Sequence, residues 1–227
     1  GGTPQTAPIV FDLNRNGITS ISLAASNALF DYQGDGLVEH TAWSEAGDAL
    51  LAVDVNGDGK INDGSELFGD YTELEDATLA KDGYEALSQY DSNNDGVIDA
   101  SDEKFSELRL FKDANQDGVT DDGELVSLAD EDITSISLNT EDGTTYQSTD
   151  ENGNTITNET SYTTSTNTGT VRDLWFTYEN REEDLPDVYF DMDGNEKFYT
   201  FKELKVTNNI STCSLHIEQM IQNQKVA

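Results

Sequence analysis

Positive charge is scarce in this 227-residue chain. Twelve Lys and Arg stand against 46 Asp and Glu, a formal net charge of −34. Nucleic acid and anionic membrane surfaces repel such a chain, so neither is expected as a partner. The single cysteine, Cys213, rules out an internal disulfide, and with no histidine partner it reads as a packed or incidental thiol rather than a nucleophile. The two histidines, His40 and His216, are far apart and match no zinc spacing. No apolar run is long enough to span a bilayer, so membrane insertion is not expected. Serine-hydrolase elbows, P-loops and dinucleotide fingerprints are also missing. No signal peptide opens the chain, which reads as a module of something larger.

What is present points to hard cations. Nine Phe, nine Tyr and two Trp sit in short apolar runs, enough for a lean core at 35 % hydrophobic content and too much for a disordered acidic tail. A compact chain with this charge repels itself, and bound divalent cations are the economical remedy. Abundant acid with almost no cysteine suits a secreted bacterial protein, extracellular or at the cell surface, in Ca²⁺-rich surroundings.

Three stretches carry the spacing that Ca²⁺ requires. Such a loop offers side-chain oxygens at positions 1, 3 and 5, glycine at 6, a backbone carbonyl at 7 and a closing carboxylate at 12. The first loop has Asp54, Asn56 and Asp58, the carbonyl of Lys60 and Glu66, the glutamate falling at position 13. The second has Asp91, Asn93 and Asp95, the carbonyl of Val97, and the shorter acid Asp102 at position 12. In the third, Asp113, Asn115, Asp117, Val119 and Glu124 fill every position, with Thr120 rather than an aliphatic residue at position 8. Two weaker relatives, Asp12-x-Asn14-x-Asn16-Gly17 and Asp31-x-Gln33-x-Asp35-Gly36, have the opening half without an acid at position 12. Asp63 and Asp70 are further candidate ligands. Asp191 opens a weak loop read as a bare turn, and Asp150–Asn154 reads as a hairpin turn. Three Ca²⁺ sites are expected, and up to about five.

The expected fold class is α+β. Short strands are read at Ile9–Leu13, Thr19–Leu23, Ala28–Tyr32, Leu37–Glu39 and Ala49–Val53, with helices near Leu79–Tyr90 and Asp102–Leu110 and a third after Gly123 through Leu125 and Leu128. After about residue 133 the alternation in Ile133–Leu138, Thr155–Thr164 and Val171–Tyr178 predicts antiparallel strands. A polar stretch at Glu179–Asp184 marks a boundary. It separates a calcium-binding module over residues 8–178 from an extension over 179–227, which ends in an amphipathic segment around Leu215, Ile217, Met220 and Ile221.

An ordered series of these residues resembles a known family. It runs from Pro8-Ile9-Val10-Phe11-Asp12-Leu13-Asn14 through Leu29-Phe30-Asp31 and Thr41-Ala42-Trp43 to Asp54-Val55-Asn56-Gly57-Asp58-Gly59. Glu66-Leu67-Phe68-Gly69-Asp70, Asp82-Gly83-Tyr84, Leu108-Arg109-Leu110-Phe111-Lys112-Asp113 and Asp173-Leu174-Trp175-Phe176 continue it. Over about residues 8–178 this is similar to the calcium-dependent self-processing module of secreted bacterial RTX proteins. The nonapeptide repeats of those proteins are absent here. The resemblance implies a module folded by Ca²⁺ that cleaves an Asp–Pro bond at its own N-terminal edge, after which the freed aspartyl group can join a lysine. That reaction needs the carboxylate of an Asp just before the proline, and before Pro8 stands Ala7. As written, the chain is therefore expected not to self-process. Three roles are weighed: a Ca²⁺-ordered module that binds a peptide or protein ligand on a cell surface beside neighbouring domains of its parent protein, a self-processing module lacking its Asp, and a Ca²⁺-stiffened spacer.

Overall fold

The computed structural model describes residues 4–140 and 147–179, together with the strands Val188–Asp191 and Glu196–Tyr199. The chain divides into two units, Gly1–Glu179 and Asn180–Ala227. The first contains β1 (Gln5–Thr6), β2 (Ile9–Phe11), β3 (Ser20–Ile21), β4 (Leu29–Phe30), β5 (Glu39–Thr41), β6 (Trp43–Ser44) and β7 (Ala49–Val53). Then come α1 (Gly83–Ser88), β8 (Val97–Asp99), β9 (Leu108–Phe111), β10 (Leu125–Ser127), β11 (Ile133–Ser137), β12 (Gln147–Thr149), β13 (Thr155–Thr164) and β14 (Thr168–Glu179). In the second unit β15 (Val188–Asp191) pairs with β16 (Glu196–Tyr199) as an antiparallel hairpin.

Twelve strands of the first unit form one sheet, ordered β10-β9-β7-β2-β14-β13-β11-β8 along its main path. Its ladders are antiparallel. The apolar runs Ile9-Val10-Phe11 and Ala49-Leu50-Leu51-Ala52 follow from burial on both faces of the sheet centre. Ile9, Phe11, Ala49, Leu51, Leu108 and Leu110 join one core, with Tyr84 and Leu87 of α1. Val10, Leu50, Ala52 and Phe111 join the opposite core. There Trp43 is fully buried among Phe30, Phe111 and Phe176, with ring centroids 5.6, 6.3 and 5.7 Å away. Burying aromatic rings of this size contributes the bulk of a lean core's stability. Strand β14 is the hub: it pairs with β13 on one side and with β2, β1 and β5 in succession on the other.

The α+β expectation is corrected by this architecture, which is mainly antiparallel sheet. Among the described residues the one α-helix is the six-residue α1, beside 3-10 turns at Gly64–Glu66, Phe105–Glu107 and Leu128–Glu131. The helix expected over 79–90 begins only after Asp82, whose side chain accepts from the Glu85 N–H as an N-cap. Leu79, counted on the buried face, is 57 % exposed and sits in a bridge with Glu73. The helix expected over 102–110 fails for two reasons. Asp102 is committed to closing the loop before it, and Leu108–Phe111 is drawn into the sheet, where its neighbours face opposite cores. Leu125 pairs with Phe111 in β10 rather than starting a helix, and Ser127 caps only a 3-10 turn after it. The acidic loops are therefore not held between helix pairs but at strand ends. Residues 192–195 of the expected Asp191 loop and the amphipathic 215–221 segment lie outside the described residues. No helix among the described residues is long and apolar enough to cross a membrane.

Candidate metal centres

Asp54, Asp91 and Asp113 each stand at a fixed place in a turn built from the same hydrogen bonds. Oδ1 of the first Asp accepts from the N–H of position 5, at Asp58, Asp95 and Asp117, over 3.1–3.3 Å. Its Oδ2 accepts from the glycine at position 6, at Gly59, Gly96 and Gly118, over 2.8–3.0 Å. Position 3 (Asn56, Asn93, Asn115) accepts from the N–H of position 5, and position 5 accepts from the N–H of position 7 (Lys60, Val97, Val119). Positions 4 and 6 take left-handed backbone, which is why glycine recurs at 6 and Gly, Asn and Gln stand at 4.

The closing acids share one geometry despite unequal spacing. Glu66 accepts from Val55 N at 3.1 Å and Asn62 N at 2.8 Å. Asp102 accepts from Ser92 N at 2.8 Å and Asp99 N at 2.9 Å. Glu124 accepts from Ala114 N at 2.8 Å and Asp121 N at 2.9 Å. In every case these are the amides of positions 2 and 9. The extra residue before Glu66 is taken up by the 3-10 turn Gly64–Glu66, so closing one residue late costs no contact. Asp102, one methylene shorter, reaches the same two amides. All three acids are buried; Glu66 Oε1 also accepts from Asn56 N at 3.4 Å and Asp102 Oδ1 from Ser92 Oγ at 3.2 Å, while the second oxygen of each acid accepts one N–H and keeps a lone pair for an ion.

Electrostatics records how crowded these loops are. Burial pushes the Glu66 and Asp113 carboxyls up, against the amides that stabilise their charge. Burial also acts on Asp102, but the bonds from Asp99 and Ser92 outweigh it and hold that carboxyl down. Among the described residues, no three His, Cys, Asp or Glu side chains converge on one point. Each loop offers carboxylate oxygens and an amide oxygen, donors that suit a hard cation.

The loops are tied to the sheet and to one another. Trp43 Nε1 donates to Asp113 Oδ2 at 2.8 Å inside the aromatic core, and Gln116 Nε2 donates to Ser44 O. Position 8 of the first loop meets position 8 of the third: Thr120 Oγ1 accepts from Ile61 N at 3.0 Å and approaches Ile61 O at 3.4 Å. Ile98, at position 8 of the second loop, pairs with Ile136 in β11.

The weaker candidates separate. Asp31 accepts from Asp35 N and Gly36 N, and Asp35 from Leu37 N, repeating the turn. Gln33 is exposed. Spacing alone did not reveal Glu39, which accepts from Tyr32 N, the position-2 amide, at 2.9 Å. Burial, then Asp31 and Asp35, push its carboxyl up. Asp63 caps the Gly64–Glu66 turn, and its carboxylate lies beside Gly34 of the Asp31 loop. Asp12 accepts from Gly17 N, and Asn14 from Asn16 N. Asp150–Asn154 is the hairpin turn between β12 and β13.

Asp70 belongs elsewhere. It accepts from Thr6 Oγ1 at 2.6 Å and from Ala7 N at 3.0 Å, at the edge where β1 leads to Pro8. Ala7 is fully buried, and a Cβ on Gly69 would lie 2.6 Å from its carbonyl oxygen. Asp173, fully buried in β14, has Oδ1 without a partner. Burial and then Asp82 push its carboxyl well up. No local spacing marks Asp173, because its neighbours Asp82 and Asn158 arrive from other elements.

A twelve-stranded antiparallel sheet with acidic turns at its strand ends defines a β module. The chain belongs to the SPM domain family, which matches residues 9–177 and bears out the resemblance to the self-processing modules of RTX proteins. It is 39 % identical over 178 residues to the iron-regulated protein FrpA of Neisseria meningitidis serogroup C, covering 76 % of this chain. The match spans 15 % of that relative's length. The chain is thus an RTX-family module of the bacterial type.

Proposed function

We propose that this chain is a Ca²⁺-folded module of a larger secreted RTX-family adhesin or toxin, and that its ordered surface binds a peptide or protein ligand. One observation carries the calcium reading: three closing acids of different length and spacing hold the amides of positions 2 and 9, so a buried carboxylate closes each loop in the same way. Five Asp and Glu between Asp113 and Glu124 cannot be held this close without a counter-charge. Ligand binding is supported by the Asp31 loop. Its glycines and Gln33 are exposed while Glu39 closes it from beneath, so a cation there would keep positions open to a ligand's carboxylate. The test is calorimetric Ca²⁺ titration and circular dichroism of the full chain with and without EDTA, beside Glu124→Gln. Calcium should restore sheet structure lost in EDTA, and Glu124→Gln should weaken one site about tenfold or more. A spectrum indifferent to EDTA and a variant that titrates like the parent would refute it. Peptides with free C-terminal carboxylates, titrated with and without Ca²⁺, test the ligand; no binding in either state leaves a spacer.

A second reading, a self-processing module without its nucleophile, is favoured by the surroundings of Ala7. Around the buried Ala7–Pro8 bond, the Ala7 N–H donates to Asp70, the Ala7 carbonyl lies against Gly69, and Pro8 O accepts from Leu174 N at 3.2 Å. An Asp at this position would attack its own carbonyl carbon, forming a cyclic anhydride as the Pro8 nitrogen departs with a proton. Ala7→Asp in Ca²⁺ should yield cleavage before Pro8; an intact chain after hours rejects this reading.

A further inference from the structure

Strands β2 and β7 pair with Phe11 opposite Ala49, which sets Asp12 and Asp48 side by side at the next step of the ladder. Asp48 is 2 % exposed and Asp12 5 %. Both oxygens of Asp48 and Oδ1 of Asp12 lack a hydrogen-bond partner. Among the described residues neither carboxylate joins an ion pair. Two facing buried carboxylates with three free oxygens are a severe penalty unless something positive lies between them.

The surroundings complete a cation set. Asp12 Oδ2 is fixed by Gly17 N at 3.0 Å, which leaves Oδ1 as the free oxygen. Asn14 Oδ1 is held by Asn16 N, and the missing Cβ of Gly47 would lie 1.8 Å from Asn14 Nδ2, so Asn14 and the Gly47-Asp48 corner touch. Glu45 accepts from Thr19 Oγ1 at 2.7 Å and Asn16 Nδ2 at 3.4 Å, adding charge at the rim. The N–H groups of Leu13 and Thr19 lie near Asp48 without reaching ordinary hydrogen-bond geometry. Leu13 is position 2 of the Asp12 loop, whose counterpart amide is taken by the closing acid in the other loops.

We propose that Asp12 and Asp48, with Asn14 and Asn16, form a further divalent-cation site whose closing carboxylate comes from the start of a neighbouring strand rather than from the loop itself. The ion is hard and oxygen-loving, and Ca²⁺ is the fitting choice. It ties β2 to β7 at the sheet centre and, being the most enclosed, should be the last released to a chelator. The competing arrangement is a proton shared between the two carboxyls. Although this extends the calcium reading, its failure is separable. Calorimetric Ca²⁺ stoichiometry of the full chain is compared with Asp48→Asn, with Gly47→Ala, which displaces exposed Asn14 and spares both acids, and with Glu124→Gln. Loss of one equivalent in Asp48→Asn, and at least tenfold weaker binding of one equivalent in Gly47→Ala, are expected. Unchanged stoichiometry and affinity in both, with Glu124→Gln reduced, overturns this site alone. If all three variants match the parent, the loops fail with it. Should Asp48→Asn not fold, Gly47→Ala decides.

Discussion

Replacing Thr120 by Val probes the link between the first and third loops, because it keeps the shape and removes only the hydroxyl. Thr120 is 5 % exposed and Ile61 3 %, so no water replaces the lost partner. Thr120 Oγ1 accepts from Ile61 N at 3.0 Å, a full-strength bond; its contact to Ile61 O at 3.4 Å is weak. A buried amide left unsatisfied costs about 1–3 kcal/mol, and the orphaned carbonyl adds a fraction of that. The expected loss is about 1–4 kcal/mol, or roughly 2–16 °C in melting temperature for a module of this size. Thr120→Ser keeps the hydroxyl and removes one methyl, worth about 1 kcal/mol. Thermal melts in saturating Ca²⁺ should rank the parent above Ser and Ser above Val. Titrations should show the first and third loops filling less cooperatively in Thr120→Val alone. If Val melts with the parent, the hydroxyl contributes nothing and the proposed bridge is wrong.

Asp173→Asn tests the buried carboxyl of β14. Burial raises its folded-state pKa, so the protonated form is favoured in the fold; stability is unaffected below the ordinary carboxylate range and falls as pH rises through the folded value. The variant should gain on the parent at pH 8 and lose that gain near pH 4 in denaturant melts at saturating Ca²⁺; a pH-independent difference would contradict the assignment. Gly69→Ala should destabilise by about 1–3 kcal/mol, since its Cβ would press on the backbone carbonyl of Ala7 with no side chain able to yield; an unchanged denaturation midpoint would show that the edge gives way. Trp43→Phe removes a hydrogen bond to the Asp113 carboxylate and part of the aromatic core, so it should cost about 2–4 kcal/mol and weaken the third loop in Ca²⁺ titration. A loss of stability without any change in Ca²⁺ affinity would separate the core from the site.

Some of this was readable from residues alone. Loop chemistry is local, so Asp54, Asp91 and Asp113 announce themselves by spacing, and Ala49–Val53 announces a doubly buried strand by its unbroken apolar run. The helices misled because two periodicities overlap: Tyr84 and Leu87 do pack in the core, but Leu79 on the same apparent face is exposed and Leu108–Phe111 alternates across the sheet. The closing roles of Glu39 and Asp48 were invisible for a different reason. Each acts on a turn that precedes it in the chain, and only the strand register, Phe30 with Glu39 and Phe11 with Ala49, brings acid and turn together. Asp173 likewise depends on Asp82 at the start of α1 and Asn158 in β13, which no window of sequence contains.

The pairing of β1 with β14 has a mechanical meaning. Gln5 lies opposite Thr177 and Thr6 opposite Phe176, and Tyr178 N reaches Pro4 O, so the polypeptide enters and leaves this unit at one corner. Tension drawn between those two points loads the rungs in turn, as in a zipper, rather than sharing the load along a sheared ladder. The first rungs to open are those of β1, and the peptide bond just beyond them is Ala7–Pro8. A parent chain under stretch would thus expose that bond early, while the carboxylate-lined turns farther inside still hold.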